Sequence, residues 1–312
     1  MTELRALVSC RLVWDAADEV EARLTGAGVI ADIPRFEGQQ LEEEDLLPII
    51  GQYDGILAGD DHLTRRVLEA APRLKVISKW GIGIDAIDLA AAEELGVQVF
   101  NTPGVFGEEL ADYAMGYIHM LARRQNEVNS KVKAGEWYKV RGVSLAGKTL
   151  GIVGLGSSGR ALAHRGLAAS MHVLGYDIVE VPEVSGCEMV GLDDLLARSD
   201  IVSLQLPATS EADHLINAES IAKMKRGAWL INISRGSLVD EKALLVALAD
   251  GAIGAAALDV FESEPVAPGH DLFEFENVVV GSHNGSNTHE AVERATDLAV
   301  DNLLRGLGLE VT

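Results

Sequence analysis

The clearest chemical signal in the sequence is a glycine-rich segment at residues 154–159, which reads G-L-G-S-S-G. This G-x-G-x-x-G spacing is weak evidence by itself, because glycine-rich sequences produce it by chance. Here it follows a run of β-forming residues, Thr149–Val153, and opens a helical pattern, which is the context of a dinucleotide-binding loop. The alternative is a glycine-rich turn in a non-binding α/β domain.

Each glycine of this loop has its own expected role. Gly154 permits a tight turn, Gly156 lets the backbone approach a pyrophosphate, and Gly159 lets the helix pack closely on the strand. Ser157 and Ser158 open the helix, whose unsatisfied N–H groups and positive dipole end would bind the phosphates. We therefore expect cofactor contacts at all five residues.

An acidic residue, Asp177, ends the next predicted strand. A carboxylate there can accept hydrogen bonds from the ribose hydroxyls and would repel a 2′-phosphate. The residues that follow, Ile178-Val179-Glu180, include no Arg or Lys that could hold such a phosphate. The sequence thus favours NAD over NADP as the cofactor.

Short apolar runs alternate with amphipathic segments along nearly the whole chain, which predicts an α/β fold with parallel sheets. Predicted strands are Leu4–Ser9, Val29–Ile33, Tyr53–Ala58, Leu74–Lys79, Val97–Phe100, Thr149–Val153, Met171–Tyr176, Ile201–Leu206, Trp229–Ile233, Ala255–Asp259 and Val278–Val280. Predicted helices in the first hundred residues are Ala16–Leu24, Glu42–Ile50, Thr64–Ala70 and Ala86–Leu95. The segment Gly107–Ala134 has no strand signal and predicts one long helix or two abutting ones.

A chain of 312 residues exceeds what one hydrophobic core usually organises, so we expect two domains. The predicted dinucleotide-binding domain covers residues 101–284, and the other domain combines residues 1–100 with 285–312. The last segment, Thr288–Leu304, has a helical stripe with Thr288 as N-cap, and we expect this helix to return to the first domain.

The composition excludes several classes of protein. A formal net charge of −22 disfavours nucleic-acid binding. Only two cysteines occur, Cys10 and Cys187, and they lie far apart in the sequence. This disfavours a disulfide framework or a zinc site, so no metal site is predicted. The low cysteine content also fits a reducing cytoplasm. The N-terminus is a poor signal peptide and no apolar stretch is long enough to cross a bilayer, so no membrane partner is expected.

Three further segments carry a family resemblance: N-I-S-R-G-S-L-V-D at 232–240, D-V-F-E-S-E-P at 259–265, and G-S-H-N-G-S at 281–286. Together with the glycine loop, they resemble the D-isomer-specific 2-hydroxyacid dehydrogenases, from about Leu74 to Leu304. The resemblance implies a Rossmann-type dinucleotide-binding domain inserted into a smaller flavodoxin-like α/β substrate domain. It also implies NAD-dependent interconversion of a small D-2-hydroxy acid and its 2-oxo acid.

The family's catalytic set matches Arg235, Glu264 and His283. Arg235 would grip the substrate carboxylate or polarise the 2-oxo group through a two-pronged hydrogen bond. His283 would give a proton to the keto oxygen during reduction and remove it during oxidation. Glu264 would pair with His283 and keep the imidazole protonated until the carbonyl needs the proton. Read without the family, Glu264 would be a solvated loop carboxylate beside Glu262.

The resemblance extends to further contacts. Asp259 stands where the family holds the nicotinamide carboxamide, and backbone N–H groups of Ile82 and Gly83 stand where it receives the substrate carboxylate. Other cofactor contacts are expected at Leu206, Pro207, Thr209, Ile233 and Gly285.

Substrate identity is left open by two neighbouring residues. Lys79 stands where phosphoglycerate dehydrogenases commonly carry an Arg, which favours a substrate with a second anionic group. Trp80 would narrow the substrate site and favours a shorter acid such as glyoxylate or hydroxypyruvate. The alternative for Lys79 is a surface salt bridge.

Two other functions share the fold. One is an NAD-sensing regulatory protein without physiological turnover, because fold does not fix function. The other is formate dehydrogenase, which the resemblance disfavours because that activity pairs its His with Gln, whereas Glu264 stands here.

We also expect a homodimer, from the family resemblance and from the apolar residues Tyr113, Met115, Tyr117 and Met120 of the long helical segment. The alternative is that these four residues only line the core between the two domains.

Overall fold

The computed structural model describes residues 3–311, and it divides into two compact units. The first runs up to Val105 and resumes at Thr288, and the second spans Phe106–Asn287. The helices are α1 Ala17–Gly26, α2 Glu43–Leu46, α3 Arg65–Glu69, α4 Leu89–Glu94, α5 Gly107–Arg123, α6 Gln125–Lys133, α7 Ser157–Ala168, α8 Leu192–Arg198, α9 Ala218–Lys223, α10 Glu241–Asp250 and α11 His289–Gly306.

The strands form two sheets in which the paired strands are parallel. They are β1 Leu4–Val8, β2 Val29–Asp32, β3 Gly55–Ala58, β4 Val76–Lys79, β5 Gln98–Phe100, β6 Thr149–Val153, β7 His172–Tyr176, β8 Cys187–Met189, β9 Ile201–Leu204, β10 Ala228–Asn232, β11 Ile253–Leu258 and β12 Val278–Val280. The predicted α/β class is confirmed.

The first unit holds the five-stranded sheet, in the order β2-β1-β3-β4-β5. This is the flavodoxin-like order 2-1-3-4-5. Helix α11 packs on its central strands: a Cβ on Gly306 would lie 2.3 Å from Val76 Cγ2, and Ser78 Oγ donates to Ala299 O at 2.7 Å. The Thr288 side chain caps this helix by accepting from Ala291 N at 3.1 Å. The last helix therefore belongs to the first unit.

The second unit holds the seven-stranded sheet, in the order β12-β11-β10-β9-β6-β7-β8. Numbered within the unit, this is the order 3-2-1-4-5-6 of dinucleotide-binding sheets, extended by β12. The register aligns the carboxyl ends of six strands along one edge, at Val153, Tyr176, Leu204, Asn232, Leu258 and Val280. Residues that follow these strand ends are thereby brought to one side of the sheet.

Helix α5 supplies much of the core on one face of this second sheet. Met115 and Tyr117 are buried there, and Tyr113 and Met120 pack against the same cluster. Tyr113 and Met120 stay partly exposed, so a contribution of this helix to a dimer stays a prediction. Their spacing matches the face of the helix that packs inside its own unit.

Among the described residues, no helix is both long and apolar enough to span a bilayer.

Candidate active site

The glycine loop follows β6 and runs directly into α7. Gly154 has a φ of 93°, and a Cβ there would lie 2.5 Å from Gln205 O. A Cβ on Gly159 would lie 2.0 Å from Gly154 O, so the first turn of α7 needs a glycine at that point. At Gly156, in contrast, a Cβ would meet no atom within 4 Å. Two glycines thus permit close packing, and the middle one faces open space that a pyrophosphate could enter.

The start of α7 is suited to bind an anion. Gly156 is its N-cap and provides no side-chain hydrogen bond to the first turn. The exposed Ser157 and the half-buried Ser158 follow it, and no acidic residue lies in the first turn. The positive end of the helix dipole is therefore not neutralised locally.

The Asp177 carboxylate lies against the same loop. One oxygen accepts from Leu155 N at 2.7 Å, and the other accepts from Val179 N at 3.2 Å. These two bonds hold a half-buried carboxylate beside the backbone of the glycine loop. A dinucleotide whose pyrophosphate lay at α7 would bring its adenosine ribose towards this carboxylate.

The other predicted cofactor residues follow β9, β10 and β12 on the same edge of the sheet. Leu206 is half-buried, Pro207 and Thr209 are exposed, and Ile233 and Gly285 are buried. These five residues therefore include both exposed and buried positions near the ends of neighbouring strands.

Asp259 follows β11 and is only 1% exposed. One of its oxygens accepts from Tyr113 Oη at 3.1 Å and Tyr117 Oη at 3.4 Å, and the other accepts from Gly285 N at 2.8 Å. Burial raises the pKa of Tyr117, and the neighbouring Asp259 charge raises it as well. Tyr117 is therefore a neutral phenol that can donate a hydrogen bond. Sequence reasoning missed this role of the tyrosines, because their spacing in α5 predicts only a packed helix face.

Glu264 and His283 form a pair. His283 Nδ1 lies 2.7 Å from one Glu264 carboxylate oxygen, while the other oxygen accepts from Phe261 N at 2.9 Å. The two side chains are 31% and 28% exposed, so the pair is accessible from solvent. His283 adopts a left-handed backbone, with φ 55°, and its N–H donates to Asp259 O at 2.7 Å. The orientation of the imidazole is therefore fixed by the contact at Nδ1 and by the backbone hydrogen bond of His283.

Arg235 follows β10 and is half-buried. Its Nη1 donates to Ser234 O at 2.9 Å, and its own carbonyl accepts from Asn232 Nδ2 at 2.8 Å. Gly236 next to it allows close approach of another loop, since a Cβ there would lie 1.9 Å from Phe261 C. That loop carries Glu264, so the segments of Arg235 and Glu264 are in direct contact.

The predicted substrate loop of the first unit follows β4. Ile82 is 38% exposed and Gly83 is half-buried, which leaves this part of the loop accessible. Asn101 Nδ2 donates to Ile82 O at 2.7 Å, and Gly81 N donates to Thr102 Oγ1 at 3.0 Å. The loop is thereby tied to the residues that follow β5.

The two residues just before this part of the loop, Lys79 and Trp80, are both buried. Lys79 is not at the surface: its side chain is 5% exposed, and its Nζ lies 3.0 Å from Asp60 Oδ1. Trp80 is 4% exposed, and its Nε1 donates to Thr296 Oγ1 of α11 at 3.0 Å. The indole therefore packs inside the first unit.

No group of three or more His, Cys, Asp or Glu side chains within residues 3–311 could hold a metal ion.

Comparison with known proteins connects this geometry with a family. The sequence profile described as "D-isomer specific 2-hydroxyacid dehydrogenase, NAD binding domain" matches residues 115–285. This chain belongs to that family. A glyoxylate reductase of Thermofilum pendens is 43% identical over 84% of this chain and 80% of its own length. A hydroxypyruvate reductase of Thermotoga maritima is 38% identical over 87% of this chain and 90% of its own.

This 2-hydroxyacid dehydrogenase is also similar in fold to a solved structure. The TT0316 protein of Thermus thermophilus is 36% identical, with a TM-score of 0.89 over 98% of this chain and 97% of that one. The protein is an oxidoreductase that interconverts 2-hydroxy and 2-oxo acids with a nicotinamide dinucleotide. Both named relatives are reductases, which leaves the regulatory alternative without support.

Proposed function

We propose that the protein is an NAD-dependent reductase of short 2-oxo acids, acting on glyoxylate and hydroxypyruvate. The observation that carries this proposal is the 2.7 Å contact between His283 and Glu264, on the sheet edge that also bears Arg235 and the glycine loop. A proton donor, a guanidinium and a dinucleotide loop on one edge are the groups that carbonyl reduction needs.

The chemistry is divided among three side chains. When bound, the nicotinamide supplies the hydride for reduction and accepts it in the reverse direction. Arg235 binds the substrate carboxylate and carbonyl through its planar guanidinium. His283 uses Nε2 to protonate the developing alkoxide, because Nδ1 is engaged by Glu264. Glu264 stabilises the imidazolium and holds the ring orientation.

The remaining predicted contacts complete this proposal. The cofactor is held by the five residues of the glycine loop, by Asp177 and Asp259, and by Leu206, Pro207, Thr209, Ile233 and Gly285. Backbone N–H groups of Ile82 and Gly83 receive the substrate carboxylate. Asp259 accepts three hydrogen bonds within the protein, which fix its carboxylate at the strand end and leave acceptor capacity for the nicotinamide carboxamide.

Asp177 supports the choice of NAD over NADP. Its carboxylate is held at the glycine loop by two backbone N–H groups, so a 2′-phosphate on the ribose would meet a fixed negative charge. An Asp177→Asn variant retains an acceptor for these N–H groups and removes the charge. We expect it to lower the preference for NADH over NADPH.

The relatives support a short substrate. The two described above are named for glyoxylate and hydroxypyruvate. The ion pair between Lys79 and Asp60 also supports a substrate without a second anionic group, because the ammonium is already paired.

We further propose a cytoplasmic homodimer. Both cysteines are free thiols, as in a reducing compartment. The partly exposed Tyr113 and Met120 of α5 are followed by apolar side chains in and after α6, where Val132 is 43% and Trp137 is 86% exposed. A monomeric mass by light scattering would refute the dimer.

A turnover assay tests the proposed activity directly. NADH and NADPH are each combined with glyoxylate, hydroxypyruvate and pyruvate, and NAD with formate is the control for the formate alternative. We expect the highest kcat/KM with NADH and one of the first two acids. Tight NADH binding without turnover on any 2-oxo acid would instead support the regulatory alternative.

A further inference from the structure

Asp60 and Lys79 lie at the carboxyl edge of the first sheet, on neighbouring strands. Ala58 of β3 is paired in register with Lys79 of β4, and Asp60 follows two residues after Ala58. Lys79 Nζ lies 3.0 Å from Asp60 Oδ1. The lysine side chain is 5% exposed and the aspartate side chain is 46% exposed, so solvent or a solute meets the carboxylate first.

The ammonium lies directly beside the loop proposed to bind the substrate carboxylate. Lys79 Nζ donates to Trp80 O at 2.7 Å, and a Cβ on Gly81 would lie 2.9 Å from the same Nζ. Two of the three N–H donors of the ammonium are thus taken by Trp80 and Asp60. The cation lies in reach of the loop, but its charge is already compensated.

A second carboxylate adds to this compensation. Asp61 is 1% exposed and accepts from Ser9 Oγ at 2.6 Å, Leu41 N at 2.8 Å and Gly59 N at 2.9 Å. Burial raises the pKa of Asp61, while these hydrogen bonds and the Lys79 charge act in the opposite direction. The Lys79 ammonium therefore lies near two carboxylates, and the three side chains carry a net charge of −1 when all are ionised.

We propose that Asp60 is a specificity-determining residue that excludes 2-oxo acids bearing a second anionic group, such as a phosphate or a distal carboxylate. This inference rests on the proposed function of the 79–83 loop. A substrate with one carboxylate can use the backbone N–H groups of Ile82 and Gly83 without meeting Asp60. A second anion near Lys79 must displace the Asp60 carboxylate or lie against it, and either costs free energy.

The test compares hydroxypyruvate with 3-phosphohydroxypyruvate, which differ only in the phosphate. We expect wild-type protein to prefer hydroxypyruvate. Asp60→Asn should raise the ratio of kcat/KM for the phosphorylated acid over hydroxypyruvate by about tenfold, because the freed ammonium can pair with phosphate. High salt should reduce this gain, since Asp60 is partly exposed.

A matched control separates a local effect from the overall charge. Asp18→Asn, on the exposed side of α1, removes the same charge from the same unit and should leave the ratio unchanged. Adding Lys79→Met to Asp60→Asn should abolish the gain, because the ammonium is the group that would receive the phosphate.

The outcomes are distinguishable. If wild-type protein reduces hydroxypyruvate but Asp60→Asn leaves the ratio unchanged, the role of Asp60 is refuted and the proposed function stands. If Asp18→Asn raises the ratio equally, the effect is one of overall charge, and the role of Asp60 is again refuted. If wild-type protein reduces no 2-oxo acid, the proposed function itself is wrong.

Discussion

His283 is the residue on which the proposed chemistry depends most, because it is the proposed proton donor. Its ring is held by Glu264 at 2.7 Å and its backbone by Asp259 O at 2.7 Å. We expect His283→Ala to lower kcat by about 10²–10⁴-fold, the range for a lost general acid. NADH affinity, measured by fluorescence titration, should change little, since the glycine loop is untouched.

His164→Ala is the matched control, because this histidine is exposed on α7 and outside the pair. It should retain normal turnover. Wild-type kcat in His283→Ala across the pH range would remove His283 from the mechanism.

Individual residues also show the limits of sequence reasoning. Catalytic roles for Arg235, Glu264 and His283 can be proposed from sequence, because each matches a family motif. The burial of Trp80 cannot, because its partner Thr296 lies 216 residues further along the chain. The bonds from Tyr113 and Tyr117 to Asp259 span 146 and 142 residues and depend on how α5 packs against the sheet.

At the junction of β6 and α7, Gly159 is needed for packing, whereas Gly156 leaves space for the cofactor. A Cβ on Gly159 would lie 2.0 Å from Gly154 O, whereas one on Gly156 would meet nothing within 4 Å. We expect Gly159→Ala to lower the free energy of unfolding by about 1–3 kcal/mol, as overpacking does. Gly156→Ala should change it by less than about 0.5 kcal/mol.

The affinity for NADH should also distinguish Gly156→Ala from Gly159→Ala. Gly156→Ala should weaken NADH binding by about tenfold, equivalent to about 1.4 kcal/mol, because the methyl group occupies space that the pyrophosphate needs. Thermal unfolding with and without NADH measures both effects. A destabilised Gly156→Ala with normal NADH affinity would reverse the assignment of the two glycines.

The elements themselves were predictable where the apolar runs are strong. β6 and β12 have the predicted bounds, Thr149–Val153 and Val278–Val280. β8, Cys187–Met189, was missed because one half-buried residue precedes two exposed ones, so no apolar pattern marks it. The long segment forms two helices because Arg124, with φ 50°, breaks it. The sequence leaves this choice open.

For the molecule as a whole, buried acids make stability depend on pH. Asp54 is 5% exposed and accepts from Arg5 N at 3.1 Å and Arg73 Nη2 at 2.7 Å. Burial alone would raise the pKa of Asp54, but these bonds outweigh burial and lower it. The ionised form is thus favoured by folding. The ionised Asp54 carboxylate therefore adds to the free energy of unfolding above the unfolded pKa of about 3.9. This contribution is lost as pH falls through the lower pKa of the folded state.

We therefore expect Asp54→Asn to destabilise the protein at pH 7 by about 1–3 kcal/mol, the usual loss for charged hydrogen bonds. The difference from wild type should shrink as pH falls below about 4. Urea unfolding at pH 7, 4 and 3 measures it, with Asp15→Asn, an exposed carboxylate, as control. A difference that stays constant over this range would show that ionisation of Asp54 contributes nothing.

We propose that the protein reduces a 2-oxo acid with NADH as a D-specific dehydrogenase. The most direct measurement is the configuration of the glycerate formed from hydroxypyruvate and NADH, determined by chiral chromatography against NADH consumed. We predict D-glycerate alone, in a one-to-one ratio with NADH oxidised. L-glycerate, a racemic product, or NADH binding without glycerate would contradict the account.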